Sequence, residues 1–232
     1  MGIITLLHGS DHIIEVPDIS IGNEKNDYGK GFYCTRVDEM AREWACKKNT
    51  EGFVNRYEFN MDGLSVLDLL DGQHSVLNWI ALLLQHRTFK LNTEIALDAR
   101  DYIIKHYSIS LDDFDVVIGY RADDSYFQYA ESFVSNALPL RSLNQALRLG
   151  KLGEQTVVIS QTGFDRLRFA GADTVDKSIY YPKFKVRDSD ARETYRKEIK
   201  RSKSYRDDLF VMDILREEMS NDDPRIQRIL LG

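Results

Sequence analysis

Cysteine is scarce in this chain: Cys34 and Cys46 are the two present among 232 residues. Two thiols cannot staple a core of this size, and no Cys/His cluster has metal-site spacing, so both are expected to be reduced thiols of a cytoplasmic protein. Long apolar runs are also missing. No stretch approaches the roughly 20 residues that a membrane-spanning helix needs, and Met1–Ser10 is too short and too soon interrupted by His8 for a signal peptide. Gly2 is followed by Leu6 where a myristoylation pattern requires a hydroxyl. A positive balance is absent too. The formal charge of -6 argues against broad attraction to nucleic acid or anionic lipid, while leaving room for a local basic site. There are no internal repeats and no low-complexity tract.

What is present fits an ordinary globular protein, with 43% hydrophobic and 29% charged residues. The stretch Asp27-Tyr28-Gly29-Lys30-Gly31-Phe32-Tyr33-Cys34-Thr35 carries most of the information. Glycines flanking a lysine let the backbone approach a bound molecule, and the aromatic residues beside them suit a binding surface. Read alone, the same stretch is equally a Gly-rich hairpin with core aromatics. Thr35-Arg36-Val37-Asp38 reads as an N-cap opening a helix to about Lys47, on which Val37, Met40, Ala41 and Trp44 share one face. Trp44 and Tyr33 would then form two walls of a slot for a flat ligand.

The remaining chain alternates strand and helix signals. Ile3–Leu7 is a short strand ending at His8-Gly9-Ser10, and the Pro- and Gly-interrupted segment from Asp11 to Asn26 is a loop long enough to be functional. Strands are expected at 53–59, 115–120 and 153–160, with a possible return to the sheet at 168–175. Helices are expected at 75–87, from the Asn92-Thr93 cap, at 125–135 and at 142–149. Core packing is a sufficient role for Trp79 and His106. The cluster Arg121-Ala122-Asp123-Asp124, at the end of an apolar strand, either lines a cleft or caps the next helix. From about Tyr181 the composition turns polar and helical. Arg192, Arg196, Lys200 and Lys203 would line one face there, most simply as a solvated surface.

Three of these elements resemble the ADP-ribosyltransferase superfamily, on its diphtheria-toxin and poly(ADP-ribose) polymerase side. Leu7-His8-Gly9-Ser10 is similar to the first motif of that superfamily, Tyr28-Gly29-Lys30-Gly31-Phe32-Tyr33 to its tyrosine-bearing run, and the strand entrance at Glu154-Gln155 to its late motif. More closely, the span from His8 to about Phe169 resembles a bacterial domain family of unknown function grouped there. The resemblance implies an α+β fold: two mostly antiparallel sheets around an NAD cleft, helices outside, a domain over residues 1–180 and a helical tail over 181–232. It implies catalytic roles for His8, Tyr33 and either Gln155 or Glu154. NAD would be held by His8, Gly9, Ser10, Gly29, Lys30, Gly31, Tyr33, Trp44, Arg121 and Asp123, with no metal. Cleaving the nicotinamide–ribose bond builds positive charge on the sugar, which suits a site that grips the leaving group between aromatic rings.

The chain departs from the superfamily at two positions. The late catalytic residue there is usually Glu. Alignment on the apolar strand puts Gln155 at that place, whereas residue type favours Glu154, and Asp123 is a further candidate for the missing charge. Ala41 stands where polymerases carry a serine that contacts the carboxamide. The expected function is mono-ADP-ribosyl transfer from NAD to a macromolecular acceptor, protein or nucleic acid, with no membrane partner. The resemblance suggests a toxin, defence factor or effector, with an antitoxin or inhibitor as a further partner. An NAD glycohydrolase and a non-catalytic NAD- or partner-binding module are the alternatives.

Overall fold

The computed structural model describes residues 2–122, 124–149, 153–201 and 208–229. The chain begins with β1 (Ile3–Ser10), β2 (Phe32–Cys34), α1 (Asp38–Cys46), β3 (Gly52–Asn60) and β4 (Val66–Asp68). It continues through α2 (Val76–His86), α3 (Glu94–Tyr107), β5 (Val116–Tyr120), α4 (Asp124–Val134) and α5 (Leu140–Leu149). Next come β6 (Glu154–Val158), α6 (Gln161–Phe164), β7 (Leu167–Val175), α7 (Lys177–Arg201), α8 (Val211–Arg216) and α9 (Pro224–Gln227).

The strands form two sheets, one in the order β1-β3-β7 and the other in the order β2-β6-β5-β4. All pairs are antiparallel except β4 with β5. The architecture is therefore α+β, with two sheets and helices packed around them. The sheets meet where Leu7 and Thr35 exchange backbone hydrogen bonds of 2.8 and 2.9 Å. That one bridge carries the end of β1, and with it His8, to the side of β2.

Apolar burial explains the layers. Leu6, Phe32, Tyr57, Phe59, Val116 and Val158 close the space between the sheets. Helix α2 is buried from Val76 to Leu84, so its all-round apolar surface makes it the centre of the larger core, against α3, α4, α5 and α8. Full burial of each such leucine or isoleucine contributes about 1.5–3 kcal/mol. A smaller cluster of Leu7, Ala41, Ala45, Cys46, Val54 and Val175 lies under α1, and Tyr180 and Tyr181 of α7 pack against it. Both cysteines are buried free thiols. Among the described residues no helix is long and apolar enough to cross a membrane.

Two sequence expectations shift. Thr35 belongs to the bridge rather than to the helix cap: its Oγ1 accepts the Val37 N–H at 3.1 Å and donates to the Glu154 carbonyl at 3.2 Å. Helix α1 accordingly starts at Asp38, and Val37 is 46% exposed instead of lying on the buried face. At the other end, β7 runs into α7 at Lys177, ahead of the expected change near Tyr181, and Pro182 is carried inside the helix at the cost of one backbone donor. Arg192 pairs with Asp188 at 3.0 Å, whereas Lys203 and the side chain of Lys200 lie outside the described residues.

Candidate functional site

A cavity of about 560 Å³ opens between the ends of β1, β2 and β6, walled by α1, by the loop after β1 and by α7. Of the residues expected at a binding site, His8, Gly9, Ser10, Gly31, Tyr33, Trp44, Arg121 and Gln155 line it. Gly29, Lys30 and Glu154 do not, and Asp123 lies outside the described residues.

Each placement has a local cause. In β6 successive side chains point to opposite faces, and the pairing of Gln155 with Gly119 of β5 turns Gln155 inward, 2% exposed, while Glu154 faces outward. Of the two candidates for the late position, only Gln155 reaches the cavity. Gly29 serves the site indirectly. It adopts φ +73° in a turn against the His86 ring, and its carbonyl accepts the Tyr33 hydroxyl at 2.7 Å. The Tyr28 N–H donates to the same hydroxyl at 3.0 Å. Both bonds fix the Tyr33 ring, and burial pushes its phenol pKa up, so the hydroxyl is a latch and not a base. Lys30 is exposed, with its stem beside Gly22 of the loop after β1.

His8 Nδ1 lies 2.7 Å from the Tyr33 carbonyl oxygen and its ring stacks on Phe32 at 4.5 Å. A carbonyl only accepts, so Nδ1 carries the proton. Burial lowers the pKa of the ring, which keeps it neutral and leaves Nε2 as an acceptor. Ser10 is occupied within the protein, donating to the His12 carbonyl and accepting from Asn55 Nδ2 at 2.9 Å. The wholly buried Asn55 also accepts the Ile14 N–H at 2.8 Å and so shapes the loop that forms the cavity mouth. The Arg121 guanidinium sits 4.8 Å from the centroid of the Trp44 ring, and Trp44 Nε1 is a buried donor without a partner among the described residues.

Sequence reasoning missed Asp27 and Arg87. Both line the cavity, joined at 3.1 Å between Asp27 Oδ1 and Arg87 Nη1. Asp27 Oδ2 accepts the Ala122 N–H at 2.8 Å and the Gln155 amide at 3.1 Å. Phe184 and Asp188 of α7 were also unforeseen as lining residues. They are held over α1 by Arg187–Glu43 at 2.6 Å and by a Lys183–Glu39 ion pair.

Burial raises the Asp27 pKa above its ordinary 3.8, outweighing the Ala122 N–H, the Arg87 charge and the Gln155 amide. A carboxyl raised in the folded state favours folding fully below its unfolded value, and that contribution is lost as pH rises through the folded value. Removing Arg87 raises it further. Arg87→Met is therefore expected to lose about 2 kcal/mol of stability near pH 7.5 and clearly less near pH 4.5. Denaturant melts at the two pH values check this, and an equal loss at both would contradict it.

Fold and site together define an α+β protein of two sheets that share a cavity with aromatic walls, a neutral imidazole and a buried carboxylate. The chain belongs to a family described as "Protein of unknown function (DUF3990)", which matches residues 4–169 and so spans all of the strands lining the cavity. No curated protein and no solved structure matches the chain.

Proposed function

We propose that this cavity binds NAD and that the protein transfers a single ADP-ribose from it to a macromolecular acceptor, protein or nucleic acid. One observation carries the reading: His8, Tyr33 and Gln155, from three different strands, converge with Trp44 on one cavity. His8, Tyr33 and Trp44 stand at positions where the sequence resembles the ADP-ribosyltransferase superfamily, and Gln155 at the position where that superfamily usually carries Glu. The resemblance supplies the prior for the chemistry, and the site supplies parts that suit it.

In this reading the Tyr33 and Trp44 rings flank the nicotinamide, which leaves when its bond to ribose breaks, and the Tyr33 ring is held still by its latched hydroxyl. His8 Nε2, an acceptor because Nδ1 is a donor, takes a hydrogen bond from a ribose hydroxyl. Gln155 faces the same sugar. The side chains of Lys47, Lys48, Arg87 and Arg121 on the cavity wall suit an anionic diphosphate, with Arg87 already matched to Asp27. Buried free thiols fit a reducing cytoplasmic compartment. A role as a bacterial toxin, defence factor or effector, restrained by an antitoxin or inhibitor, extends the same proposal.

The test is incubation of the purified protein with labelled NAD and total cell lysate. Transfer predicts nicotinamide release matched by label retained on protein, RNA or DNA. Release without retained label makes the protein a glycohydrolase, and calorimetric NAD binding without release makes it a binding module.

A further inference from the structure

Gln155 stands where a carboxylate would be expected, and its surroundings dictate how its amide is turned. Nε2 lies 3.1 Å from Asp27 Oδ2 and 3.3 Å from the Tyr120 carbonyl oxygen. The ionised Asp27 carboxylate and the Tyr120 carbonyl can only accept, and the buried Tyr28 hydroxyl already donates to that same carbonyl at 2.7 Å, so the NH₂ group must face them and both its hydrogens are used. Neither neighbour can turn away. Tyr120 belongs to β5, paired with β6, and its carbonyl also accepts Trp79 Nε1 at 3.1 Å. Asp27 is fixed by the Ala122 N–H at 2.8 Å and by Arg87 at 3.1 Å. Oε1 is the atom left over, on a residue that lines the cavity, and no described residue donates to it.

The geometry points to Asp27 as the positioning residue that makes Gln155 present an oxygen, and never an amide hydrogen, to a hydroxyl-bearing ligand in the cavity. Asp27 acts through Gln155 and need not touch the ligand. Its negative charge polarises the amide it holds, adding electron density at Oε1, which places part of a carboxylate's character at a neutral side chain. The ligand group is a hydroxyl, and naming it as a ribose hydroxyl of NAD rests on the proposed function above. The arrangement also accounts for the absence of Glu: a carboxylate at 155 would face the Asp27 oxygen at the distance now spanned by a hydrogen bond, and one of the two would have to take up a proton.

The experiment is an exchange of the two groups. Asp27→Asn lets the Gln155 amide turn over and point hydrogens at the ligand. It is expected to lower kcat for nicotinamide release about 10-fold or more with little change in KM for NAD. Gln155→Glu alone is expected to lower it by at least as much. The double variant Asp27→Asn/Gln155→Glu, with donor and acceptor exchanged and one charge retained, is expected to return to within about 3-fold of wild type. Thermal melting of every variant separates lost folding from lost turnover. A Gln155→Glu variant as active as wild type, or a double variant no better than Gln155→Glu, overturns the inference. If the wild-type protein releases no nicotinamide, the transfer reading fails and the relay is judged by nuclear magnetic resonance instead. The Gln155 side-chain NH₂ signals, assigned by their loss in Gln155→Glu, should be protected from solvent exchange at least 10-fold more in wild type than in Asp27→Asn. Equal protection overturns it.

Discussion

Tyr33→Ala is expected to reduce nicotinamide release by about 100-fold or more, the order of loss that follows a misplacement of about 1 Å at a reacting centre. The substitution removes one wall of the cavity and, at the same time, the hydroxyl that accepts from the Tyr28 N–H and donates to the Gly29 carbonyl. Tyr33→Phe separates these effects. It keeps the wall and frees the turn, so the account expects a higher KM for NAD with a smaller change in kcat. His8→Ala should match Tyr33→Ala, because it deletes the acceptor nitrogen while leaving the Tyr33 carbonyl without its 2.7 Å partner. Counting nicotinamide by chromatography gives the answer, and full activity in both alanine variants would remove the cavity from the chemistry.

The second large effect concerns folding. Gly9→Ala is expected to destabilise the protein by about 3 kcal/mol or more, because a methyl group there would stand 2.0 Å from the Ala41 carbonyl oxygen and 2.7 Å from the Ala45 nitrogen. Those atoms are helix backbone and cannot swing aside. Helix α1 would have to lift from β1, carrying Trp44 with it and opening the cluster of Leu7, Ala45 and Val54. For a chain of this length the loss corresponds to a fall in melting temperature of roughly 6–12 °C. A Gly9→Ala protein that melts within a degree of wild type would mean that the glycine is not required by this contact. The closeness of a helix is a sufficient reason for a glycine at the end of β1, and the same residue lines the cavity.

How much the sequence disclosed depended on the range of the interaction. The strands carrying His8 and Gln155 were legible because each lies in a short apolar run with a polar residue or glycine at its end, whereas β2, three residues long, reads as a glycine-rich binding surface or hairpin and not as a strand. The choice between Glu154 and Gln155 was not. Strand β6 is buried on both faces beyond Glu154, so its residues do not alternate, and only the pairing with β5 shows which side chain turns inward. Asp27 was on view inside the most informative stretch, yet nothing in its neighbours marks it as a buried carboxylate. Its partner Arg87 follows α2, sixty positions along the chain. The role of α7 was hidden for a related reason. A polar helix reads as solvated, and Phe184 and Asp188 reach the cavity only because Arg187 and Lys183 find Glu43 and Glu39 on α1. Val37 failed for a local reason, since the bridge at Thr35 delays the helix and leaves Val37 before its first turn.

The central claim, that the space between Tyr33 and Trp44 receives the nicotinamide of NAD, can be measured through the tryptophan itself. The protein holds two tryptophans, and Trp79 is wholly buried in the larger core. Titration with NAD should therefore quench the fluorescence of Trp44 saturably, and the quench should persist in Trp79→Phe and vanish in Trp44→Phe. Fluorescence that stays unchanged at saturating NAD, or a quench that survives in Trp44→Phe, would contradict the account.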